Sequence, residues 1–304
     1  MPVSKTLPPF LKKGDEVAIV SPAFCIDEDK LHAAVDFLAD WGLKARIGKN
    51  AAKRNGPFAG TDEERLSDFQ EATDDPSVKA VLCARGGYGL LRIIDRIDFS
   101  SLKKSPKWYV GYSDITVLHT WLSERENLVS IHGDMPLNYY DTDKEEITFS
   151  TLKKALFGRL AGIVWEGDGA RKRRAEGEIA GGNLSLYYSL VGTPADPDTN
   201  GKILFLEDVG EYYYHIDRML SSLKLAGKLD NLAALVVGGM TQMNDTRIPW
   251  GKSIEETILE IVAEYDYPVL FGFPAGHVND NRAVFIGRNA VVEAKGKKSS
   301  LKFT

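Results

Sequence analysis

The chain has 304 residues, 43% of them hydrophobic and 27% charged, which fits one large or two ordinary globular domains with a real core. Its formal net charge is -5, from 38 Lys and Arg against 43 Asp and Glu, which speaks against a general nucleic-acid binder. No run approaches the roughly 18 uninterrupted apolar residues needed to cross a bilayer, and residues 1–9 lack the apolar centre of a signal peptide. Two cysteines, Cys25 and Cys83, require no disulfide, and a cytoplasmic location is expected.

Residues 16–22 read as a strand ending in a loop. Apolar residues at Leu31, Ala34, Val35 and Leu38 predict a helix over 29–41, with Gly42 as its cap. Residues 43–47 alternate as a second strand. Thr61 and Glu64 form a capping box that opens a helix to about Ala72. A third strand, 78–83, leads into the glycine loop Arg85-Gly86-Gly87-Tyr88-Gly89 and a helix over 90–94. Residues 108–110 form a strand, Gly111-Tyr112-Ser113-Asp114 a turn, 115–122 a helix and 129–132 a short strand. Strand and helix in alternation imply a mostly parallel sheet, whose ligands bind at the carboxyl ends of the strands.

The pattern changes after a helix over 146–157. A polar stretch containing Arg171-Lys172-Arg173-Arg174 predicts a linker over 161–176, its basic run a solvated connector. The expected domains are therefore 1–160, α/β with a mostly parallel sheet, and 177–304, which mixes short strands with helices. Short strands are expected there at 202–207, 233–238, 269–271, 283–286 and 290–294, with helices near 183–191, 214–225 and 252–264.

Ser113 lies between a strand end and a helix start. Such a turn presents a hydroxyl clear of the backbone, near free N–H groups of the helix. It is also the place of an ordinary helix cap, which from the turn alone is the commoner case. A serine nucleophile needs a base and a group that orients the base. His132 ends a strand, and His277 lies in a loop rich in glycine and asparagine. His119 reads as a packed core residue, while His32 lies away from the strand ends and His215 at a helix start. Glu207 and Asp208 end an apolar strand with side chains on opposite faces, so one of the two can face the serine; pairing with Arg218 is the competing expectation. Gly86 and Gly87 let backbone N–H groups approach a substrate oxygen. No phosphate-loop pattern occurs, and without H-E-x-x-H or C-x-x-C a metal site has no sequence support.

These pieces resemble the LD-carboxypeptidase family of serine peptidases, which includes the enzymes that inactivate microcin C. The resemblance runs almost end to end: Lys13-Gly14-Asp15, Ser21-Pro22, Arg85-Gly86-Gly87-Tyr88-Gly89, Gly111-Tyr112-Ser113-Asp114, His132-Gly133, Gly181-Gly182-Asn183-Leu184, Leu206-Glu207-Asp208, Ile216-Asp217-Arg218 and Gly276-His277. It implies a triad of Ser113, Glu207 and His277, with oxyanion donors from Gly86 or Gly87 and from the Asp114 N–H. It also implies a Rossmann-like α/β N-terminal domain carrying the serine, a smaller, strand-rich α+β C-terminal domain carrying the acid and the base, action without metal or cofactor on a small peptide or muropeptide, no nucleic-acid or membrane partner, and a homodimer. Arg85 and His132 are candidates for substrate contact. Asp134 departs from the family, which often has proline there. The expected reaction removes a terminal D-alanine from a muropeptide tetrapeptide. The alternatives are hydrolysis of a peptidyl-nucleotide amide of the microcin C type, for which Trp165 or Tyr212, Tyr213 and Tyr214 could supply an aromatic shelf, and a non-enzymatic protein that binds a small ligand.

Overall fold

The computed structural model describes residues 5–141, 143–167, 169–170 and 174–304, which form two compact units. Unit 1 comprises Met1–Leu160 with Arg282–Phe285; unit 2 comprises Ala161–Asn281 with Ile286–Thr304.

In unit 1 the elements follow as β1 (Glu16–Val20), α1 (Glu28–Asp40), β2 (Lys44–Ile47), α2 (Asp62–Asp74), β3 (Val78–Cys83), β4 (Trp108–Gly111), α3 (Thr116–Arg125), β5 (Ser130–His132) and α4 (Glu146–Leu156). The strands pair in parallel in the spatial order β5-β4-β3-β1-β2, the doubly wound arrangement that the alternation predicts. β1 and β3 read as near-continuous apolar runs because both of their faces are covered. The capping box at the start of α2 is present, with Thr61 accepting from the Glu64 amide and Glu64 from the Thr61 amide.

Unit 2 continues with β6 (Gly162–Glu166), β7 (Gly169–Ala170), β8 (Arg174–Asn183), α5 (Leu184–Ser189), β9 (Ile203–Val209), α6 (Tyr213–Leu225), β10 (Ala234–Thr241), α7 (Ile254–Ile261) and β11 (Val269–Leu270). The chain then adds β12 (Val284–Ile286) to the edge of the first sheet beside β5, and closes with β13 (Asn289–Lys295) and β14 (Lys298–Phe303). The second sheet has eight strands in the order β6-β14-β13-β8-β9-β10-β11-β7. Its β8-β9-β10-β11 part is parallel, and the strands outside it pair antiparallel. Leu204, Leu206, Leu235 and Val237 of this sheet pack with Ile216, Leu220 and Leu223 of α6.

Two expectations differ from the structure. Residues 90–94 form no α-helix: Leu90–Arg92 and Ile94–Arg96 are separate 3₁₀ turns, divided at Ile93, whose φ of -128° is not helical. The expected linker over 161–176 contains β6, β7 and the start of β8; Ile163 and Trp165 are buried while Val164 and Glu166 are exposed, a strand alternation masked by the surrounding glycines and charges. Asp168 and the basic residues Arg171, Lys172 and Arg173 lie outside the described residues, as do residues 1–4 of the N-terminal stretch. Both cysteines are buried and free. Among the described residues no helix is long and apolar enough to cross a membrane.

Candidate active site

β4 ends at Gly111, Tyr112 is extended, and the chain enters a 3₁₀ turn, Ser113–Ile115, that runs straight into α3. Ser113 has φ +65°, a left-handed conformation that a residue with a side chain adopts only where its surroundings impose it. That strain sits at a sharp strand-to-helix turn. The helix behind it is fixed: seven of its ten residues, from Thr116 to Ser123, are buried. His119 adds to the anchoring. Its Nε2 donates to the Gly111 carbonyl at 2.8 Å, which leaves Nδ1 to accept from the Ser130 hydroxyl at 2.8 Å. Burial pushes this imidazole down to about 4, so it is the neutral core residue that the sequence suggests.

β3 is hydrogen-bonded to β4, so the glycine loop that follows it lies alongside the elbow. Gly86 lies against Ser113. A Cβ there would stand 2.9 Å from Ser113 Cβ and 3.1 Å from Ser113 Oγ, so only glycine fits against this hydroxyl. Asp114 is fully buried, and its Oδ2 accepts from the Leu90 amide at 2.9 Å. Burial pushes its carboxyl up to about 6, while the Leu90 N–H and Arg65 favour the charged form.

In unit 2, Glu207 lies in β9 and is fully buried. Its Oε2 accepts from His277 Nδ1 at 2.8 Å and from the His277 amide at 3.1 Å. The imidazole is partly exposed, at 20%, and the Thr241 hydroxyl donates to the His277 carbonyl at 3.0 Å. Gly276 makes the approach possible. Its φ is +104°, and a Cβ there would fall 2.4 Å from Glu207 Oε2. Asp208 faces the other way, as strand alternation requires. It accepts from Asn183 Nδ2 at 2.9 Å and from the amides of Ser185 at 3.0 Å and Val209 at 2.8 Å. Burial, then the adjacent Glu207 charge, pushes it up to about 7. Arg218 instead stacks on the Tyr214 ring, 5.7 Å from its centroid.

The remaining candidates fall out differently. Arg85 is half-buried, its Nη1 donating to the Cys25 carbonyl at 2.9 Å and its guanidinium 5.8 Å from the Phe24 ring. His132, at the end of β5, is fully buried, its ring 5.9 Å from Tyr112 and 6.4 Å from His119. Trp165 is packed against Phe273 at 4.9 Å, whereas Tyr212 and Tyr214 are each 40% exposed. Asp134 is buried, accepts from Asn138 Nδ2 at 2.6 Å and lies 3.6 Å from Lys144 Nζ. Arg65, fully buried against the glycine loop, escapes sequence reasoning because it sits in the charged run Asp62-Glu63-Glu64-Arg65, which reads as a solvated helix face. Among the described residues no group of three or more His, Cys, Asp or Glu side chains could hold a metal ion.

Unit 1 thus carries a serine on a strained strand-to-helix turn, and unit 2 carries a carboxylate–imidazole pair. Residues 17–133 match the LD-carboxypeptidase N-terminal domain and residues 176–292 the C-terminal domain, so the chain belongs to the LD-carboxypeptidase family. It is 39% identical to a probable murein peptide carboxypeptidase of Bacillus subtilis, covering 97% of each chain. It is 33% identical to the murein tetrapeptide carboxypeptidase of Pseudomonas aeruginosa, over 91% of this chain and 92% of the relative. The solved muramoyltetrapeptide carboxypeptidase of Oxalobacter formigenes superposes with a TM-score of 0.87 at 30% identity, covering 95% of this chain and 98% of that one.

Proposed function

We propose that this chain is a cofactor-independent serine carboxypeptidase that removes the terminal D-alanine of muropeptide tetrapeptides. The observation that carries the reading is the 2.8 Å contact between Glu207 Oε2 and His277 Nδ1. A proton held on Nδ1 by the carboxylate leaves Nε2 basic. Nε2 takes the Ser113 proton as Oγ attacks the scissile carbonyl. N–H groups of Gly86 or Gly87 and of Asp114 receive the developing oxyanion. Collapse of the tetrahedral intermediate expels the D-alanine amine, which takes the proton from His277. Water then releases the acyl group by the same route in reverse. The names of the Pseudomonas and Oxalobacter relatives support the muropeptide as substrate. The homodimer rests on the family resemblance and is checked by sedimentation.

The test is release of D-alanine from a purified muropeptide tetrapeptide. Ser113→Ala, folded by circular dichroism, should lose roughly 10⁴- to 10⁶-fold in turnover. Near-normal hydrolysis by that variant overturns the assignment, and failure of a serine-directed fluorophosphonate to label Ser113 favours a small-ligand binder.

One observation favours a second substrate: Tyr212 and Tyr214 are each 40% exposed, and a nucleobase could stack on the parts of the rings that Arg218 and His215 leave open. A relative at 24% identity is the microcin C7 self-immunity protein MccF of Escherichia coli. Parallel assays with a peptidyl-adenylate decide between the two.

A further inference from the structure

We infer that Arg65 and Asp114 are positioning residues that together lock the peptide plane between Gly89 and Leu90, and through it the glycine loop beside Ser113. The inference rests on the reading of Ser113 as nucleophile and deepens it.

A carbonyl and the amide that follows it are the two polar ends of one planar group. Arg65 Nη1 donates to the Gly89 carbonyl at 3.0 Å, and Asp114 Oδ2 accepts from the Leu90 amide at 2.9 Å. A cation therefore grips one end of this peptide and a carboxylate the other, each matching the sign of the dipole end it meets. Rotation of the plane would break both contacts and set each charge against its like end.

Neither charge is a surface accident. The Arg65 side chain is 0% exposed and Asp114 is 0% exposed, and such groups are rarely buried without a task. Arg65 also donates to the Pro22 carbonyl, in the loop after β1, and to Asp62. One guanidinium thus ties together the loops that follow the adjacent strands β1 and β3. Asp62 is held in turn by Arg92, at 3.0 Å from Nε and 2.9 Å from Nη2. The Phe58 ring lies 5.0 Å from the Arg65 guanidinium and 5.2 Å from that of Arg92. A loop with glycine at 86, 87 and 89 has many conformations open to it, whereas oxyanion donors work only when held in place beforehand. The clamp supplies that constraint. It joins the two expected donors through one residue: the Asp114 carboxylate holds the loop that carries Gly86 and Gly87, and the Asp114 backbone N–H is the second donor.

The experiment compares Asp114→Ala, Asp114→Asn and Arg65→Lys, each with kcat and KM on the muropeptide and with the rate of fluorophosphonate labelling. Asp114→Ala should lose about 10²- to 10³-fold in kcat and in labelling rate, with KM within about threefold. Asp114→Asn keeps an acceptor for the Leu90 N–H and should restore kcat to within about tenfold of the parent. Arg65→Lys keeps the cation but not the forked donors, and should lose at least about tenfold in kcat. A folded Asp114→Ala with unchanged kcat overturns the clamp, as does an Asp114→Asn as impaired as the alanine variant. If Asp114→Ala does not fold, an unchanged kcat in Arg65→Lys overturns it instead. Ser113→Ala separates the two readings: an active Ser113→Ala removes the nucleophile, whereas an inactive Ser113→Ala beside an unimpaired Asp114→Ala removes only the clamp.

Discussion

Glu207 and His277 are joined by two hydrogen bonds to a single oxygen: Oε2 accepts the imidazole Nδ1 at 2.8 Å and the His277 amide at 3.1 Å. The backbone bond fixes the histidine relative to the carboxylate, and the ring bond then sets its orientation and tautomer. Glu207→Gln replaces the acid with a group that cannot compensate a positive imidazole. In the proposed reaction kcat should fall about 10³- to 10⁴-fold with little change in thermal midpoint, measured by D-alanine release and calorimetry. A loss below about tenfold would mean that Glu207 does not orient the base.

Gly276 is predicted to be irreplaceable for the same contact. Gly276→Ala would put a methyl 2.4 Å from Glu207 Oε2, on a backbone already at φ +104°. An L-residue in such a conformation costs about 1–2 kcal/mol, and the displaced carboxylate then leaves the imidazole without its partner. The expected outcome is a lower thermal midpoint and at least a 10²-fold loss of kcat. A variant with parental turnover would show that the loop relaxes without disturbing Glu207.

Much of this site is legible in the chain because each piece sits where strand periodicity stops. Glu207 and Asp208 end an apolar run, and the period-2 alternation separates them, one to His277 and the other to Asn183, as expected. His119 falls inside an apolar helix and is correspondingly buried. The parts that escaped are those whose role comes from long-range packing. His132 ends a strand as predicted, and it is fully buried. Arg65 looks like a solvent-facing residue until α2 turns it toward the glycine loop. The alternation in 162–166 is only five residues long and lies among glycines and charges, so β6 read as a connector.

Gly86 carries the third prediction. A methyl added there would meet Ser113 Cβ at 2.9 Å, Ser113 Oγ at 3.1 Å and the Tyr112 carbonyl at 3.3 Å. Gly86→Ala must push either the elbow or the loop aside, and both are parts of the proposed reaction. Labelling of Ser113 by a fluorophosphonate should slow at least about 10²-fold, the scale of losing an oxyanion donor. Labelling at the parental rate would place the oxyanion donors elsewhere.

Stability should depend on pH through several buried groups, of which Asp208 and His119 act in opposite senses. Asp208 is pushed up to about 7 from an ordinary value near 4, so between those limits the folded protein binds more protons than the unfolded chain. Its contribution is therefore lost as pH rises through that window. His119 is pushed down to about 4 from 6.5, so the unfolded chain binds more protons between those values, and stability is lost as pH falls. At about 1.4 kcal/mol per unit, the histidine withholds about 3 kcal/mol once pH is well below 4. Relative to the parent, Asp208→Asn should gain stability as pH rises from 4 to 7. His119→Gln should gain it as pH falls from 6.5 to 4, whatever its fixed cost from the altered bonds to Gly111 and Ser130. Urea unfolding of the three proteins across pH 4–8 measures both slopes, and parallel curves for parent and variants would show that neither buried group governs the dependence.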